Sequence, residues 1–272
     1  MRDFTLQRYE RLLRALEEAE YTFLPFGEYC VLKQSGKLPE KYVMMRHDVD
    51  KRPWFSVKMA ELEALHGVKA SYYFRIGKES NQPECIKRIA QLGHEIGYHY
   101  EDMSLCKGDH EKAYEHFKNA LEYFRQFYPV RTCCMHGAPM SKYDSRALWE
   151  IGYTDEHGKT RKKYSYRDLQ LIGEPYYDVD FDHVFYLTDT GRCWDGFQFS
   201  LRDKVPQQEE WNKKGWHYHY TKEVIWAIED MRLPKAVMIT THPQRWTDSK
   251  FAWWKELIMQ NIKNMVKSVW RR

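Results

Sequence analysis

The first half of the chain alternates short apolar runs with longer amphipathic segments at least four times. The apolar runs are β-rich and predict strands at 42–45, 68–74, 94–98 and 131–135. Helical patterns with capping residues and Gly or Pro stop signals separate these runs. Because parallel strands need crossover connections, usually helices, the alternation predicts a parallel sheet or a (β/α) barrel.

The rest of the chain extends this α/β prediction. A late strand is expected at 236–240 and a final amphipathic helix at 251–269. Residues 1–40 predict an N-terminal helical extension, and residues 155–220 predict irregular loops and strands inserted over one face. With 272 residues and neither a repeat nor a linker, a single domain over 1–272 is expected.

Composition and targeting signals exclude several classes of protein. Lys and Arg total 43 against 39 Asp and Glu, and this slight positive balance does not favour nucleic-acid binding. No apolar stretch is long enough to span a membrane, and the first residues lack the apolar region of a secretory signal. The six cysteines have no CxxC spacing, which predicts reduced thiols and a cytoplasmic protein.

Polar side chains flank the ends of several predicted strands, far apart in the sequence. In barrels and open parallel sheets, ligands bind at the carboxyl ends of strands, so we expect these side chains to converge on one pocket. The residues are Asp48, Asp50, His94, His99, His136 and His242.

Imidazole and carboxylate groups in one pocket are typical of a hydrolytic metal site. A divalent ion takes these ligands and leaves a position open for water. A separate carboxylate can take a proton from that water, and a histidine can protonate a departing amine. Zn²⁺ suits this mixed ligand set best among the common metals.

Three segments carry a recognisable pattern: Arg46-His47-Asp48-Val49-Asp50, Gly93-His94-Glu95-Ile96-Gly97-Tyr98-His99 and Thr240-Thr241-His242-Pro243. Together they resemble the motifs of the polysaccharide deacetylase (NodB-homology, carbohydrate esterase family 4) superfamily, over roughly residues 40–245. The first motif is similar to a subgroup associated with surface-polysaccharide synthesis.

The resemblance implies a distorted (β/α) barrel of about seven parallel strands that hydrolyses N-acyl or O-acyl groups on sugars. It implies Asp48 as the general base, Asp50 and His99 as metal ligands, and His242 as the general acid. His136 lies where the superfamily often has Arg-x-Pro, so it is expected to replace the arginine that orients the base.

One position departs from the superfamily pattern. The second metal histidine usually follows the first by four residues, where this chain has Met103. Three alternatives are open: Glu101 or His136 supplies the missing ligand, His94 turns inward, or metal is bound weakly or not at all.

A loop in the middle segment adds candidates for substrate binding. Trp194, Asp189 and Arg192 could form a sugar subsite, because aromatic faces stack on pyranose rings. Arg192 or Arg245 could face the phosphate or carboxylate of a nucleotide- or lipid-linked sugar. The alternatives are a polar loop anchored by a buried tryptophan and arginines on the surface. The segment 216–220 resembles a metal box by its His-x-His spacing alone.

The sequence therefore predicts a metal-dependent hydrolase that removes an N-acyl group, acetyl or formyl, from a sugar intermediate of cell-surface polysaccharide or lipopolysaccharide synthesis. Two alternatives remain: a non-catalytic glycan-binding or regulatory pseudoenzyme on the same fold, and a metal-dependent hydrolase of a non-sugar amide.

Overall fold

A computed structural model describes residues 2–154, 160–195 and 202–270. The strands are β1 (Thr22–Phe23), β2 (Tyr42–Val49), β3 (Ser71–Phe74), β4 (Glu95–Tyr100), β5 (Cys133–Met135), β6 (Gly152–Thr154), β7 (Thr160–Lys162), β8 (Phe185–Thr188) and β9 (Ala236–Thr241). The α-helices are α1 (Leu6–Glu18), α2 (Phe26–Ser35), α3 (Trp54–Leu65), α4 (Pro83–Gln91), α5 (Asp102–Leu105), α6 (His110–Arg125), α7 (Pro175–Asp178), α8 (Gln208–Lys213), α9 (Thr221–Glu229) and α10 (Lys250–Trp270). Short 3₁₀ helices lie at Ser145–Trp149, Tyr166–Leu169 and Pro243–Arg245.

Seven strands form one sheet in the order β5-β4-β3-β2-β9-β8, with β1 beside the first residues of β2. Every strand pairing in this sheet is parallel. Within the described residues β5 and β8 do not pair with each other, so the barrel is open on that side. The predicted distorted (β/α) barrel of about seven parallel strands is therefore confirmed.

Strand β2 is longer than its sequence indicates. The apolar run ends at Met45, but the strand continues through Val49 and all eight residues are buried. The polar residues tolerate burial because each has a partner: Arg46 pairs with Asp48, and His47 contacts Thr241 on one side and Glu63 on the other. The strand predicted at 42–45 is therefore too short, because the partners that allow the next residues to be buried come from tertiary structure.

The N-terminal residues contribute to the same core as the sheet. Thr5 caps α1 by accepting a hydrogen bond from the backbone N–H of Arg8, as expected. Helix α1 packs against α9 and α3, and its Tyr9 is fully buried. Strand β1 then pairs with Tyr42 and Val43 of β2, which ties residues 1–40 directly to the sheet.

The segment expected to be an irregular insertion contains regular elements where it is described. β6 and β7 form a small antiparallel hairpin, and β8 is an edge strand of the main sheet beside β9. Phe185 of β8 packs its ring against Trp211 and Trp216. The chain between α6 and α9 therefore adds both to the sheet and to the surroundings of its carboxyl end.

In the described part of the chain, no helix combines the length and the apolar character needed to cross a membrane. All six cysteines are free, in agreement with the predicted reduced thiols.

Candidate active site

Asp48 and Arg46 form a buried pair on one face of β2. Residues i and i+2 of a strand point to the same side, so the two side chains lie next to each other. The Arg46 Nε and Nη2 atoms donate to the two carboxylate oxygens of Asp48 at 3.1 and 2.9 Å. This bidentate contact fixes the orientation of the carboxylate. The expectation that His136 would orient the base is corrected, because Arg46 has that position.

Asp50, His99 and His136 come together at the carboxyl ends of β2, β4 and β5. The Asp50 Oδ1 atom lies 3.6 Å from His99 Nε2 and 3.5 Å from His136 Nε2. One ligand atom from each of the three residues lies within 4.8 Å of the other two. The Oδ1 atom of Asp50 is buried and has no hydrogen-bond partner in the described structure. A buried carboxylate oxygen without a partner is costly, so this atom is available to a ligand.

Both histidines of this group have one ring nitrogen occupied and the other free for a metal. His99 Nδ1 donates to the carbonyl oxygen of Cys134 at 3.0 Å. His136 Nδ1 donates to Glu101 Oε2 at 2.8 Å. These bonds select the tautomer with an unprotonated Nε2, the usual arrangement in metal-binding histidines. Burial lowers the pKa of His99 to about 4, which keeps its imidazole neutral near pH 7.

Glu101 therefore lies behind His136 instead of beside Asp50. Its other oxygen accepts from the Arg75 Nε at 2.8 Å and from the Arg75 Nη2 at 2.5 Å. Burial raises the pKa of Glu101, but the hydrogen bond from His136 and the Arg75 charge outweigh it and lower the pKa to about 2. The carboxylate is thus ionised and holds the His136 ring in place.

The donor set of one carboxylate oxygen and two imidazole nitrogens fits a divalent metal such as Zn²⁺. Burial raises the pKa of Asp50, but the charges of His136, His242 and His99 lower it by more. The pKa of Asp50 therefore lies below its usual range. Cys134 also lies close to Asp48 and His99. Burial raises its thiol pKa, and both carboxylate oxygens of Asp48 in this group already accept hydrogen bonds from Arg46.

His242 follows β9 and lies near the Oδ2 atom of Asp50, whereas His99 and His136 lie near its Oδ1 atom. Its Nε2 is 3.9 Å from Asp50 Oδ2, and its Nδ1 donates to Asp189 Oδ1 at 2.6 Å. Burial and Arg245 lower the pKa of His242, but the charges of Asp189 and Asp50 outweigh them and raise it. The raised pKa favours the protonated ring, which suits His242 to the donation of a proton.

Asp189 and Arg245, two of the residues expected to bind substrate, both contact His242. Asp189 is fully buried and accepts hydrogen bonds from the His242 backbone, the His242 ring, Arg245 and Trp246. It has no surface left for a sugar, and the expectation for Asp189 is corrected. Arg245 uses its Nη1 on Asp189 at 2.5 Å, although it also lines the cavity in front of Asp50.

Three other expected positions lie away from the Asp50 group. His94 precedes β4 at the amino end of the sheet, where its Nδ1 accepts from the Ala70 N–H and its Nε2 donates to the Ala60 carbonyl. Trp194 is buried, with its Nε1 bonded to Thr221. Arg192 lies over the rings of Phe4 and Trp253. The assignments of His94 as a metal ligand and of Trp194 and Arg192 as substrate contacts are therefore corrected.

Two adjoining cavities open onto the site. The smaller, of about 100 Å³, is lined by Asp48, Asp50, His99, His136 and His242. The larger, of about 340 Å³, shares Asp50 and His136 and continues towards α10. A volume of this order accommodates a small-molecule ligand.

Sequence reasoning missed several residues that line the cavities or hold the residues that do. Arg46 had a detectable signal, because it stands two residues before Asp48 in a β-rich run. Asp203 had none: it accepts from the hydroxyls of Tyr176 and Tyr186 and lies 3.9 Å from Arg46, and these partners are distant in the sequence. Arg202 donates to the carbonyls of Gly137 and Ala138 beside the smaller cavity.

No family model and no curated protein matches this chain. Several solved structures are similar. The Streptococcus pyogenes deacetylase PplD, in complex with acetate, has a TM-score of 0.41 and 15% identity, with 47% of this chain and 60% of that chain covered. This chain thus spans less than two thirds of that deacetylase.

Two further structures are similar over more of the chain. A wild-type CE4 family pseudoenzyme from Bacillus anthracis has a TM-score of 0.42 and 12% identity, with 83% of this chain and 65% of that chain covered. PdaA of Bacillus subtilis, a family 4 carbohydrate esterase, has a TM-score of 0.40 and 13% identity, with 91% and 82% covered.

Proposed function

We propose that the protein is a metal-dependent hydrolase that removes an N-acyl group, acetyl or formyl, from a sugar. The observation that carries the proposal is the convergence of Asp50, His99 and His136, flanked by Asp48 on one side and His242 on the other. This set provides three ligand atoms, a separate carboxylate base and a separate imidazole acid within one pair of cavities.

Asp50, His99 and His136 would hold the metal, with Zn²⁺ the best match to their donor atoms. When bound, a divalent ion supplies Lewis-acid polarisation of the acyl carbonyl and of water. His136 takes the role that the superfamily pattern gives to a histidine at position 103. Met103 itself is buried in α5 and lines neither of the two cavities.

Asp48 and His242 transfer the protons of the reaction. Asp48, held in place by Arg46, accepts a proton from the water whose oxygen forms a bond to the acyl carbon. When the C–N bond breaks, the departing nitrogen takes a proton from His242 Nε2. Asp189 accepts a hydrogen bond from His242 Nδ1, so it stabilises the protonated ring before this transfer. The products are a carboxylic acid and a free amine on the sugar.

The larger cavity supports a charged sugar intermediate as substrate. Lys263 and Arg245 line its wall, and the Arg245 Nε is buried without a partner in the described structure. Lys51 and Arg75 also line it, although they pair with Glu256 and Glu101. Cationic groups of this kind bind phosphate or carboxylate oxygens. A nucleotide- or lipid-linked sugar of cell-surface polysaccharide or lipopolysaccharide synthesis has such a group, and we place the reaction in the cytoplasm.

The test is release of acetate or formate from N-acylated amino sugars by protein stripped of metal and then reloaded with Zn²⁺. We expect turnover only in the loaded protein and loss of turnover in Asp48→Asn. Asp182→Asn, a change at an exposed carboxylate, is the matched control and keeps full activity.

Other outcomes would favour the alternative functions. Sugar binding without stoichiometric metal or turnover would favour the pseudoenzyme. Faster cleavage of simple amides than of acylated amino sugars would favour the non-sugar amidase.

A further inference from the structure

A second group of potential metal ligands lies outside the active site. Cys193, Asp195 and His219 each place one ligand atom within 4.8 Å of the other two. The Nδ1 of His219 is 2.8 Å from Asp195 Oδ1, and the Nε2 of His217 is 3.5 Å from Asp195 Oδ2. One carboxylate therefore lies between two imidazoles and beside a thiol.

The fold brings these residues together through two backbone contacts. Asp195 pairs with Thr188 at the end of β8, and the Trp194 N–H donates to the His219 carbonyl at 3.2 Å. The segment 193–195 thus runs beside the segment 217–219. Each segment contributes its first and third residues, which explains the His-x-His spacing noted in the sequence.

The residues of the group differ in burial. Cys193 is 3% exposed, whereas the His217 and His219 side chains are 51% and 48% exposed. A cavity of about 460 Å³ is lined by both Cys193 and His219, so an ion can reach the thiol. An Asp–His ion pair alone would not need a buried sulfur at its side.

We propose that Cys193, Asp195, His217 and His219 form a second, structural metal site. Thiolate sulfur, imidazole nitrogen and carboxylate oxygen are the donor types that bind Zn²⁺ in proteins; Cys193, Asp195 and His219 form the group, and His217 adjoins it through Asp195. Without metal, the Cys193 thiol lies 3.8 Å from the Thr190 carbonyl, and burial together with Asp195 raises its pKa. Binding of Zn²⁺ therefore forms a Zn–S bond and releases the thiol proton to solvent.

This site is independent of the proposed deacetylation but lies on the same loop as Asp189. Only a few residues separate Asp189, which holds His242, from Cys193 and Asp195. A metal that joins 193–195 to 217–219 would fix the loop that positions the general acid. Its role is to hold the loop, since none of its four ligands lines the cavities around Asp50.

The test uses the whole chain loaded with Zn²⁺, and with Co²⁺ as a spectroscopic probe. We expect two Zn²⁺ per wild-type chain and a near-ultraviolet thiolate-to-cobalt band. Cys193→Ser should lose the band and one Zn²⁺. Cys134→Ser is the matched control, since Cys134 is the buried thiol near Asp48, and it should keep both.

A second variant covers the case in which Cys193→Ser fails to fold. The double variant His217→Ala/His219→Ala changes half-exposed side chains and should also lose one Zn²⁺. A band that persists in Cys193→Ser, or wild-type protein without any thiolate band, would overturn the second site. One Zn²⁺ with a band that Cys193→Ser removes and Cys134→Ser keeps would support this site and count against the metal proposed at Asp50, so the two failures are distinguishable.

Discussion

The Nε2 atom of His136 lies 3.5 Å from the Oδ1 atom of Asp50, although one residue follows β5 and the other follows β2. The contact exists because β5, β4, β3 and β2 are consecutive in the sheet and end at the same edge. His136 thereby places a third potential ligand atom beside Asp50 and His99, in a chain that has Met103 where the superfamily pattern has a histidine.

Replacement of His136 should therefore abolish tight metal binding. In His136→Ala the group keeps one carboxylate and one imidazole, and we expect Zn²⁺ affinity to fall at least about 100-fold, with activity lost in parallel. Competition with a chelator measures the affinity. His183→Ala, at an exposed histidine, is the control and should bind Zn²⁺ like the wild type. Unchanged affinity in His136→Ala would remove it from the site.

The bidentate contact between Arg46 and Asp48 should affect turnover without affecting metal content. Lysine keeps the charge in Arg46→Lys but cannot grip both carboxylate oxygens, so Asp48 loses its fixed orientation. We expect kcat to fall on the order of 100-fold while Zn²⁺ stoichiometry stays the same. Arg88→Lys, at an exposed salt bridge with Glu61, should leave kcat unchanged. A folded Arg46→Lys protein with wild-type kcat would contradict this role.

Asp189 and Arg245 should shift the pH dependence of activity in opposite directions. The general acid acts in its protonated form, so kcat/KM falls as pH rises through the pKa of His242. Asp189 raises this pKa and Arg245 lowers it. Asp189→Asn should therefore move the alkaline limb of the pH profile to lower pH, and Arg245→Gln should move it to higher pH. Shifts in the same direction would exclude His242 as the acid.

The buried carboxylate of Glu63 should make stability depend on pH. Glu63 is fully buried and accepts from His47 and from Tyr72 at 2.7 and 2.6 Å. Burial raises its pKa, but His47, His94 and the Tyr72 hydrogen bond outweigh burial and hold it below the ordinary value of 4.5. A lowered pKa stabilises the fold above pH 4.5, and this contribution is lost as pH falls through the folded-state pKa.

Glu63→Gln should accordingly lower the free energy of unfolding by about 3 kcal/mol at neutral pH, and the difference from wild type should shrink below pH 4.5. Urea denaturation over a pH series measures both quantities. Glu61→Gln, on the same helix at an exposed position, should cost less than about 1 kcal/mol. A loss that is constant with pH would show that the charge of Glu63 is not responsible.

Local patterns were sufficient to predict β2, β3, β4, β5 and β9 with helices between them, because each of these strands carries its own apolar run. They did not predict β1, or β8 as a strand of the main sheet. They were insufficient where burial depends on partners from elsewhere in the chain. Arg46, His47 and Asp48 look like a solvent-exposed loop, yet Thr241, Glu63 and their own pairing keep them inside the sheet.

The same distinction applies to the site. The direction of β4 separates His94, which precedes the strand, from His99 within it, and only the latter reaches the carboxyl edge. The sequence predicts Asp189 as a substrate contact, because it does not show that the end of β8 lies beside the end of β9. That adjacency, with Thr188 opposite Thr240, places Asp189 behind His242.

The register between β2 and β9, with His47 opposite Thr241, has a further consequence. Asp48 follows His47 and His242 follows Thr241, so the pairing of β2 with β9 sets the distance between the proposed base and the proposed acid. Residues of α10 such as Glu256, Gln260 and Lys263 line the larger cavity without taking part in that ladder. Substrate preference can therefore diverge through α10 while the spacing of the reacting groups stays constant.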